Sequence, residues 1–250
     1  MDIRGHGGSS SSRGRQFSPP HNFDACVGDV VETLKQLGLT GHKSPFAIVG
    51  HSLGGRVALQ YSSLLSSAAI EVNPPSQTYL LDTVPGQADP SVHRVLRAIS
   101  SVQTPMESKS SLVDTMVNEY RISKPVAAWI ASNVYRTEHG LDWVFDLDVG
   151  NELVSNFSDQ NLVQSISDVT KTPDASQVHL VVGGKNKLWT SNVLEELRTV
   201  PSFGTTKNAM LQMHTLDAGH WVHVDCLEGL VKILVDNLQS RAKVLPDDDS

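Results

Sequence analysis

The sequence predicts an α/β fold, with a mostly parallel sheet and helices on both of its faces. Short apolar runs of strand length alternate along the chain with stretches whose apolar residues recur at helical spacing. Strands joined by helical crossovers form parallel sheets that are buried on both faces, so this alternation favours a parallel sheet. With 250 residues, 39% of them hydrophobic, the chain is long enough for one globular domain with a substantial core and an insertion.

The predicted elements can be placed in order along the chain. A helical stripe over 24–37 ends at Gly38, as is typical of a helix C-cap. After it we expect a strand over 45–49, a helix over 56–65, strands over 78–82, 178–182 and 210–216, and a closing helix over about 227–238.

The segment between the strands at 78–82 and 178–182 shows helical periodicity and no clear strand. It is too long for a loop, so we expect an all-helical insertion. Because open α/β sheets bind ligands beyond the carboxyl ends of their strands, the insertion is predicted to be a cap over the site. Helices that pack against one flank of the sheet are the alternative. The predicted division is a core part over 1–86, a helical cap over 87–172, a second core part over 173–240 and a disordered tail over 241–250.

Composition excludes several classes of partner. The net charge of -7 and the lack of a basic cluster argue against nucleic acid, because phosphate backbones are bound mainly by clustered Lys and Arg. Cys26 and Cys226 lack metal-ligand spacing, which argues against a zinc site and favours a reducing compartment. No window approaches the roughly 18 to 20 apolar residues of a membrane span.

The run Gly50-His51-Ser52-Leu53-Gly54 has the pattern G-x-S-x-G between a predicted strand and a predicted helix. In that setting the turn lifts a serine Oγ out of the sheet, and its glycines are needed because the strand and the helix approach closely. Ser52 is therefore predicted to be a nucleophile, and the backbone N–H of Leu53 to be an oxyanion donor. A glycine-rich turn with an idle serine is the alternative.

A serine hydroxyl needs a base to accept its proton and a third group to orient that base. His220 is the predicted base, since it follows a strand and a glycine near the end of the chain, and histidine comes last in the triad of such turns. His223 lies in the same short turn and is the competitor, with a predicted supporting role. His51 is expected to point away from the nucleophile and to pack.

Four blocks of the sequence together resemble the α/β-hydrolase fold family. They are Asp2-Ile3-Arg4-Gly5-His6-Gly7-Gly8-Ser9, the run 50–55, Leu81-Asp82-Thr83-Val84-Pro85-Gly86 and Gly219-His220-Trp221-Val222-His223. More narrowly, the chain resembles the abhydrolase-domain 11 group of esterases, especially its plant and algal members, from Asp2 to the closing helix. The resemblance implies a serine hydrolase that cleaves esters or thioesters of small to medium acyl groups through an acyl-enzyme, without a metal or an organic cofactor.

The triad acid departs from the common pattern of that family. Many members carry an aspartate just after the strand that is here 178–182, where this chain has Gly183-Gly184-Lys185-Asn186. Asp82 is the first candidate, because some members orient the histidine from the equivalent position, and a turn or N-cap role is its alternative. Asp148 is the second candidate, since it falls where some relatives are assigned an acid. Asn186 would be able to hydrogen-bond the imidazole without supplying charge.

The start of the chain is a second departure. The family usually has about three strands before D-x-R-G-H-G, and the loop after the third supplies one of two oxyanion donors. This chain begins inside that motif, so we expect an N-terminally truncated member, and a catalytically impaired binding module or fragment is the alternative function. Any targeting segment would lie upstream. A transit peptide there would imply a mitochondrial or chloroplast protein; without one, a soluble intracellular protein is expected.

Overall fold

The computed structural model describes residues 1–67, 71–86, 90–171 and 175–242. Within these ranges one sheet is formed by β1 (Ala47–His51), β2 (Gln77–Leu81), β5 (Gln177–Gly183) and β6 (Leu211–Leu216), and a separate hairpin by β3 (Val134–Thr137) and β4 (Gly140–Trp143). The helices are α1 (Phe23–Gln36), α2 (Leu53–Ser67), α3 (Pro90–Ser101), α4 (Lys109–Asn118), α5 (Lys124–Ile130), α6 (Leu147–Ser155), α7 (Leu162–Val169), α8 (Ser191–Arg198), α9 (Val222–Asp225) and α10 (Leu227–Ala242). None of these helices has both the length and the apolar character needed to cross a membrane. Of the predicted tail, residues 243–250 lie outside the described ranges.

The larger sheet confirms the predicted parallel architecture. Its strands lie in the order β1-β2-β5-β6, and every neighbouring pair is parallel. All residues of β2 and β5 are buried, as expected for strands that are covered on both faces. Parallel strands end at the same edge of a sheet, so the residues that follow these four strands are brought to one edge.

Apolar side chains cover both faces of this sheet. Leu80, Leu180 and Val182 belong to one buried cluster, whereas Tyr79 and Val181 belong to another. The alternation follows from the strand geometry, because successive side chains point to opposite faces. The first cluster also contains residues of α2, α7 and α8, and the second contains residues of α9 and α10, so helices pack on both faces.

The segment between β2 and β5 contains strands as well as helices. The expectation of an all-helical segment was wrong at β3 and β4, which pair as an antiparallel hairpin. In the sequence, helical spacing of apolar residues runs over 124–135, but α5 stops at Ile130. Beyond it, Val134, Tyr135 and Thr137 are β-branched or aromatic residues, which fit a pleated, half-buried surface better than a helix.

The chain divides into two compact units. The first, which we call the sheet unit, consists of Val31–Gly86 and Gln160–Ser250, and it contains the parallel sheet. The second, which we call the hairpin unit, consists of Met1–Val30 and Gln87–Asp159. The hairpin unit has its own buried apolar cluster, built from α3, α4, α5 and the β3-β4 hairpin. The predicted core and cap boundaries, and the placement of the cap over the site, stay predictions.

Candidate active site

The turn from β1 to α2 holds Ser52 in an unusual backbone conformation. Its φ angle is 52°, in the left-handed region that residues other than glycine seldom adopt. The Ser52 amide donates to the carbonyl of Leu81 at 3.0 Å, and the amide of Gly55 donates to the carbonyl of Ser52 at 3.0 Å. The predicted turn from strand to helix is therefore present, with Ser52 at its apex.

Close backbone approach explains the glycines of this turn. A Cβ atom on Gly50 would overlap the carbonyl oxygen of Gly54, and one on Gly55 would overlap Oγ1 of Thr83. By contrast, a Cβ atom on Gly54 would meet no atom within 4 Å. Two of the three glycines are thus fixed by the approach of the helix to the sheet.

Asp82, the residue after β2, is the centre of a dense hydrogen-bond network. It is 1% exposed and has a φ angle of 44°. Its Oδ1 atom accepts hydrogen bonds from the amide of Gly183 at 2.8 Å and from Nε1 of Trp189 at 2.6 Å. Its Oδ2 atom accepts from Nδ2 of Asn186 at 2.6 Å and from Nδ1 of His220 at 2.7 Å. Each carboxylate oxygen therefore has two donors, which fix the orientation of the group.

These donors keep the carboxylate ionised. Burial by itself raises the pKa of Asp82, but the hydrogen bonds from His220, Trp189, Gly183 and Asn186 outweigh it and lower the pKa below its ordinary value. The bond to Asp82 also places a hydrogen on Nδ1 of His220. Since a neutral imidazole carries only one N–H, Nε2 of His220 is then its proton acceptor.

His220 lies in the turn after β6, and its side chain is 27% exposed. The amide of Gly219 donates to Oδ2 of Asp225 at 2.8 Å, and the next helix is anchored by the buried Val222. A Cβ atom on Gly183 would overlap the carbonyl oxygen of Gly219, so the end of β5 passes directly beneath this turn. That close approach brings the amide of Gly183 to the same carboxylate that holds His220.

His51, the residue before Ser52, packs against the turn of His220. Its Nε2 atom lies 2.8 Å from the carbonyl oxygen of His220, and the two imidazole rings are 4.6 Å apart between centroids. Its ring is also 4.8 Å from that of His223 and 5.3 Å from that of Trp221. Burial, aided by the neighbouring imidazoles of His220 and His223, lowers the pKa of His51 to about 4. His223 is exposed, and the imidazole bonded to Asp82 is that of His220.

The other candidates occupy different environments. Asp148 is an exposed residue in the first turn of α6, in the hairpin unit. The amide of Asn186 donates to Asp82, which in turn holds the imidazole, so Asn186 supports the acid. Leu53 is the first residue of α2, where backbone N–H groups have no intrahelical acceptor. Within the described ranges, no group of three or more His, Cys, Asp or Glu side chains is placed to hold a metal ion.

Sequence reasoning missed two residues that support this site. Trp189 was not singled out, although it follows β5 closely. Arg56, in the first turn of α2, is 1% exposed, and its Nη2 atom donates to the carbonyls of Val84 at 2.9 Å and Gly86 at 2.6 Å. Burial lowers the pKa of Arg56 to about 10, so it stays protonated at neutral pH. The feature of the sequence that could have singled out Arg56 is its position one turn after Ser52, beside an apolar run.

Comparisons with known proteins give the family. The model described as "Alpha/beta hydrolase family" matches residues 1–233. Two curated proteins named sn-1-specific diacylglycerol lipase ABHD11, from Danio rerio and Mus musculus, are each 23% identical to the chain. The alignments cover 96% and 90% of this chain and 68% and 66% of the two relatives, so the chain spans about two thirds of their length.

A solved structure supports the same fold. It is described as a marine microorganism esterase, is 18% identical, and superposes with a TM-score of 0.70 over 94% of this chain and 82% of that one. At this identity the likeness concerns the fold alone. The α/β-hydrolase fold and the resemblance to the abhydrolase-domain 11 group are thereby confirmed, and the N-terminal truncation stays a prediction. With a family match over most of its length and the expected parallel sheet, the chain belongs to the alpha/beta hydrolase family.

Proposed function

We propose that the chain carries the site of a serine hydrolase that cleaves carboxylic ester or thioester bonds of small to medium acyl substrates. The observation that carries the proposal is the 2.7 Å hydrogen bond between Oδ2 of Asp82 and Nδ1 of His220, in a turn that touches the residue before Ser52. An imidazole oriented by a carboxylate beside a serine at a strand-to-helix turn is the arrangement that activates a hydroxyl nucleophile.

The proposed reaction has two halves. Oγ of Ser52 attacks the acyl carbonyl carbon while Nε2 of His220 takes the hydroxyl proton, and the N–H of Leu53 donates to the resulting oxyanion. The imidazolium then protonates the leaving alkoxide or thiolate, and the acyl group stays on Ser52. Water attacks this acyl-enzyme with His220 again as base, which releases the acid and restores the serine. Asp82 stays ionised and stabilises the imidazolium in both halves.

The names of the similar proteins support acyl esters as the substrate class of the proposal. The two curated relatives are named diacylglycerol lipases, and the similar solved structure is described as an esterase. Thioesters belong to the same proposal, because their acyl carbonyl is attacked by the same nucleophile and passes through the same kind of oxyanion.

Labelling with a fluorophosphonate probe tests the proposal. The probe phosphonylates activated serines, so the wild-type chain should be labelled and Ser52→Ala should not. Ser191→Ala removes an exposed serine at the start of α8 and serves as the matched control, which should be labelled like the wild type. Likewise, wild type and Ser191→Ala should hydrolyse p-nitrophenyl acetate at similar rates, and Ser52→Ala should not. Equal labelling and equal turnover in wild type and Ser52→Ala would instead favour the catalytically silent binding module.

A further inference from the structure

The turn that holds Ser52 and the turn that holds His220 follow strands that are not neighbours in the sheet. Ser52 follows β1 and His220 follows β6, which lie at opposite ends of the strand order β1-β2-β5-β6. Neighbouring strands are about 4.8 Å apart, so the ends of β1 and β6 are roughly 14 Å apart across the sheet. The turn after β6 must therefore reach back over the strand ends for His220 to act on Ser52.

His51 makes the contact that holds this turn at the end of β1. Its Nε2 atom lies 2.8 Å from the carbonyl oxygen of His220, within hydrogen-bond distance. Because a carbonyl oxygen can only accept, Nε2 of His51 must carry the hydrogen. The next residue in the chain is Ser52, so the side chain of His51, through this one hydrogen bond, connects the backbone next to the proposed nucleophile to the backbone of the proposed base.

The state of the His51 ring suits this contact. Burial lowers its pKa to about 4, so the ring stays neutral across the pH range of ordinary assays. A neutral ring with its hydrogen on Nε2 donates to the carbonyl without adding a positive charge next to His220. The ring also packs 4.6 Å from that of His220, at a tilt of 45°, so ring packing and hydrogen bonding act on the same turn.

We propose that His51 is a positioning residue that sets the place of His220 relative to Ser52, by donating from Nε2 to the carbonyl oxygen of His220. This inference rests on the proposed function and adds a residue to it. His51 touches neither the substrate nor the transferred proton. Its effect is on geometry, and a misplacement of about 1 Å can lower turnover by about 10²-fold.

Two amide substitutions separate hydrogen bonding from packing. His51→Gln keeps an N–H at about the reach of Nε2, whereas His51→Asn carries the same amide one methylene shorter. We expect His51→Asn to lower kcat for p-nitrophenyl acetate by about 10- to 100-fold with KM within about 3-fold of wild type. His51→Gln should recover kcat to within about 3-fold of wild type, because its amide replaces the lost donor.

A third variant controls for the neighbouring ring. His223→Phe changes the other imidazole beside His51 and leaves the bond to the carbonyl of His220 intact. Its kcat should fall clearly less than that of His51→Asn, because the donor to the carbonyl of His220 is kept. If His51→Asn does not fold, His51→Phe, which keeps an aromatic ring and lacks the donor, takes its place in the comparison. Equal kcat values for the Gln and Asn variants, or a loss confined to KM, would overturn the proposal.

A measurement that needs no turnover separates this inference from the proposed function. The hydrogen on Nδ1 of His220, bonded to Asp82 at 2.7 Å, should give a downfield proton signal in a ¹⁵N-histidine-labelled chain. The signal should persist in His51→Gln and His223→Phe and be shifted or lost in His51→Asn. If wild type and Ser52→Ala were equally inactive, the proposed function would fail, and this signal would still decide the role of His51. An unchanged signal in His51→Asn would count against it.

Discussion

The indole nitrogen of Trp189 donates a 2.6 Å hydrogen bond to Oδ1 of Asp82, the carboxylate whose other oxygen holds His220. Trp189 is 8% exposed, so this donor acts where water does not compete. A bulky apolar ring thus serves as a polar support for a buried charge. Hydrogen bonds to charged groups contribute more stability than those between neutral groups.

Replacing Trp189 with Phe should destabilise the chain through this lost bond. We expect Trp189→Phe to lower the free energy of unfolding at pH 7 by about 2 kcal/mol more than Trp143→Phe does, measured by urea denaturation. Trp143 is a matched control, because it is 5% exposed and its Nε1 atom has no hydrogen-bond partner among the described residues. Equal losses in the two variants would mean that the bond to Asp82 contributes nothing measurable.

The two candidate acids can be separated by a pair of isosteric changes. Asp82→Asn should lower kcat/KM for p-nitrophenyl acetate by about 10³- to 10⁴-fold, because the imidazole loses the charge that fixes its tautomer. Asp148→Asn, at an exposed position in α6, should leave the value within about 2-fold of wild type. The opposite pattern would assign the acid to Asp148.

The stabilising effect of Asp82 should depend on pH in a defined direction. Its pKa is lower in the folded chain than the ordinary value of 3.8, so the ionised carboxylate stabilises the fold above that value. The contribution is lost as the pH falls through the lower, folded-state pKa. The difference in unfolding free energy between wild type and Asp82→Asn should therefore be constant from pH 7 to about pH 5 and shrink only below about pH 3.8.

The burial of other acid-sensitive groups affects both proteins of that comparison alike. Burial lowers the pKa of both His51 and His214, so protonation of either ring destabilises the fold in acid. Wild type and Asp82→Asn share these histidines, so the effect of burial on their pKa values cancels, and the difference reports on the charge of Asp82, including its action on the pKa of His51. A difference that already grows as the pH falls from 7 to 5 would show that the pKa of Asp82 is raised in the folded chain, because the folded state would then take up the proton first.

The glycines of the serine turn should differ sharply in their tolerance of a methyl group. Gly50→Ala should lower the free energy of unfolding by about 3 kcal/mol or more, because its Cβ atom would overlap the carbonyl of Gly54. Gly54 lies four positions after Gly50 and within α2, and a Cβ atom there would meet no atom within 4 Å. We therefore expect the opposite behaviour from Gly54→Ala. It should leave stability unchanged or raise it by up to about 1 kcal/mol, since alanine is the better helix former. Urea denaturation of both variants measures the contrast, and equal effects would contradict the close approach.

The sheet could be predicted because its strands carry a strong local signal. The runs at β2 and β5 are apolar and bounded by turn residues, so their bounds were predicted to within a residue. The β3-β4 hairpin was missed because Val134 and Tyr135 also continue the helical spacing of α5. The strand is stabilised by its pairing with β4 and by the burial of Val134 in the apolar cluster that also contains Met116, and that packing is not local in sequence.

The site shows the same division between local and long-range information. The turn at Ser52 is encoded in five consecutive residues, so the sequence predicted its conformation. The supports of Asp82 come from residues more than 100 positions away, at Gly183, Asn186 and Trp189. The bond from His51 to the carbonyl of His220 spans 169 positions. Contacts of this kind depend on which strands become neighbours in the sheet. A local sequence pattern does not contain that information.

The amide at position 186 bears on how inactive members of a fold family are recognised. A search that required a carboxylate after β5 would classify this chain as inactive. The negative charge beside His220 is nevertheless present, because Asp82 supplies it from the end of β2. An amide in place of the carboxylate after β5 is therefore weak evidence that a member of the fold family is inactive. The informative quantity is the charge around the imidazole, whichever strand delivers it.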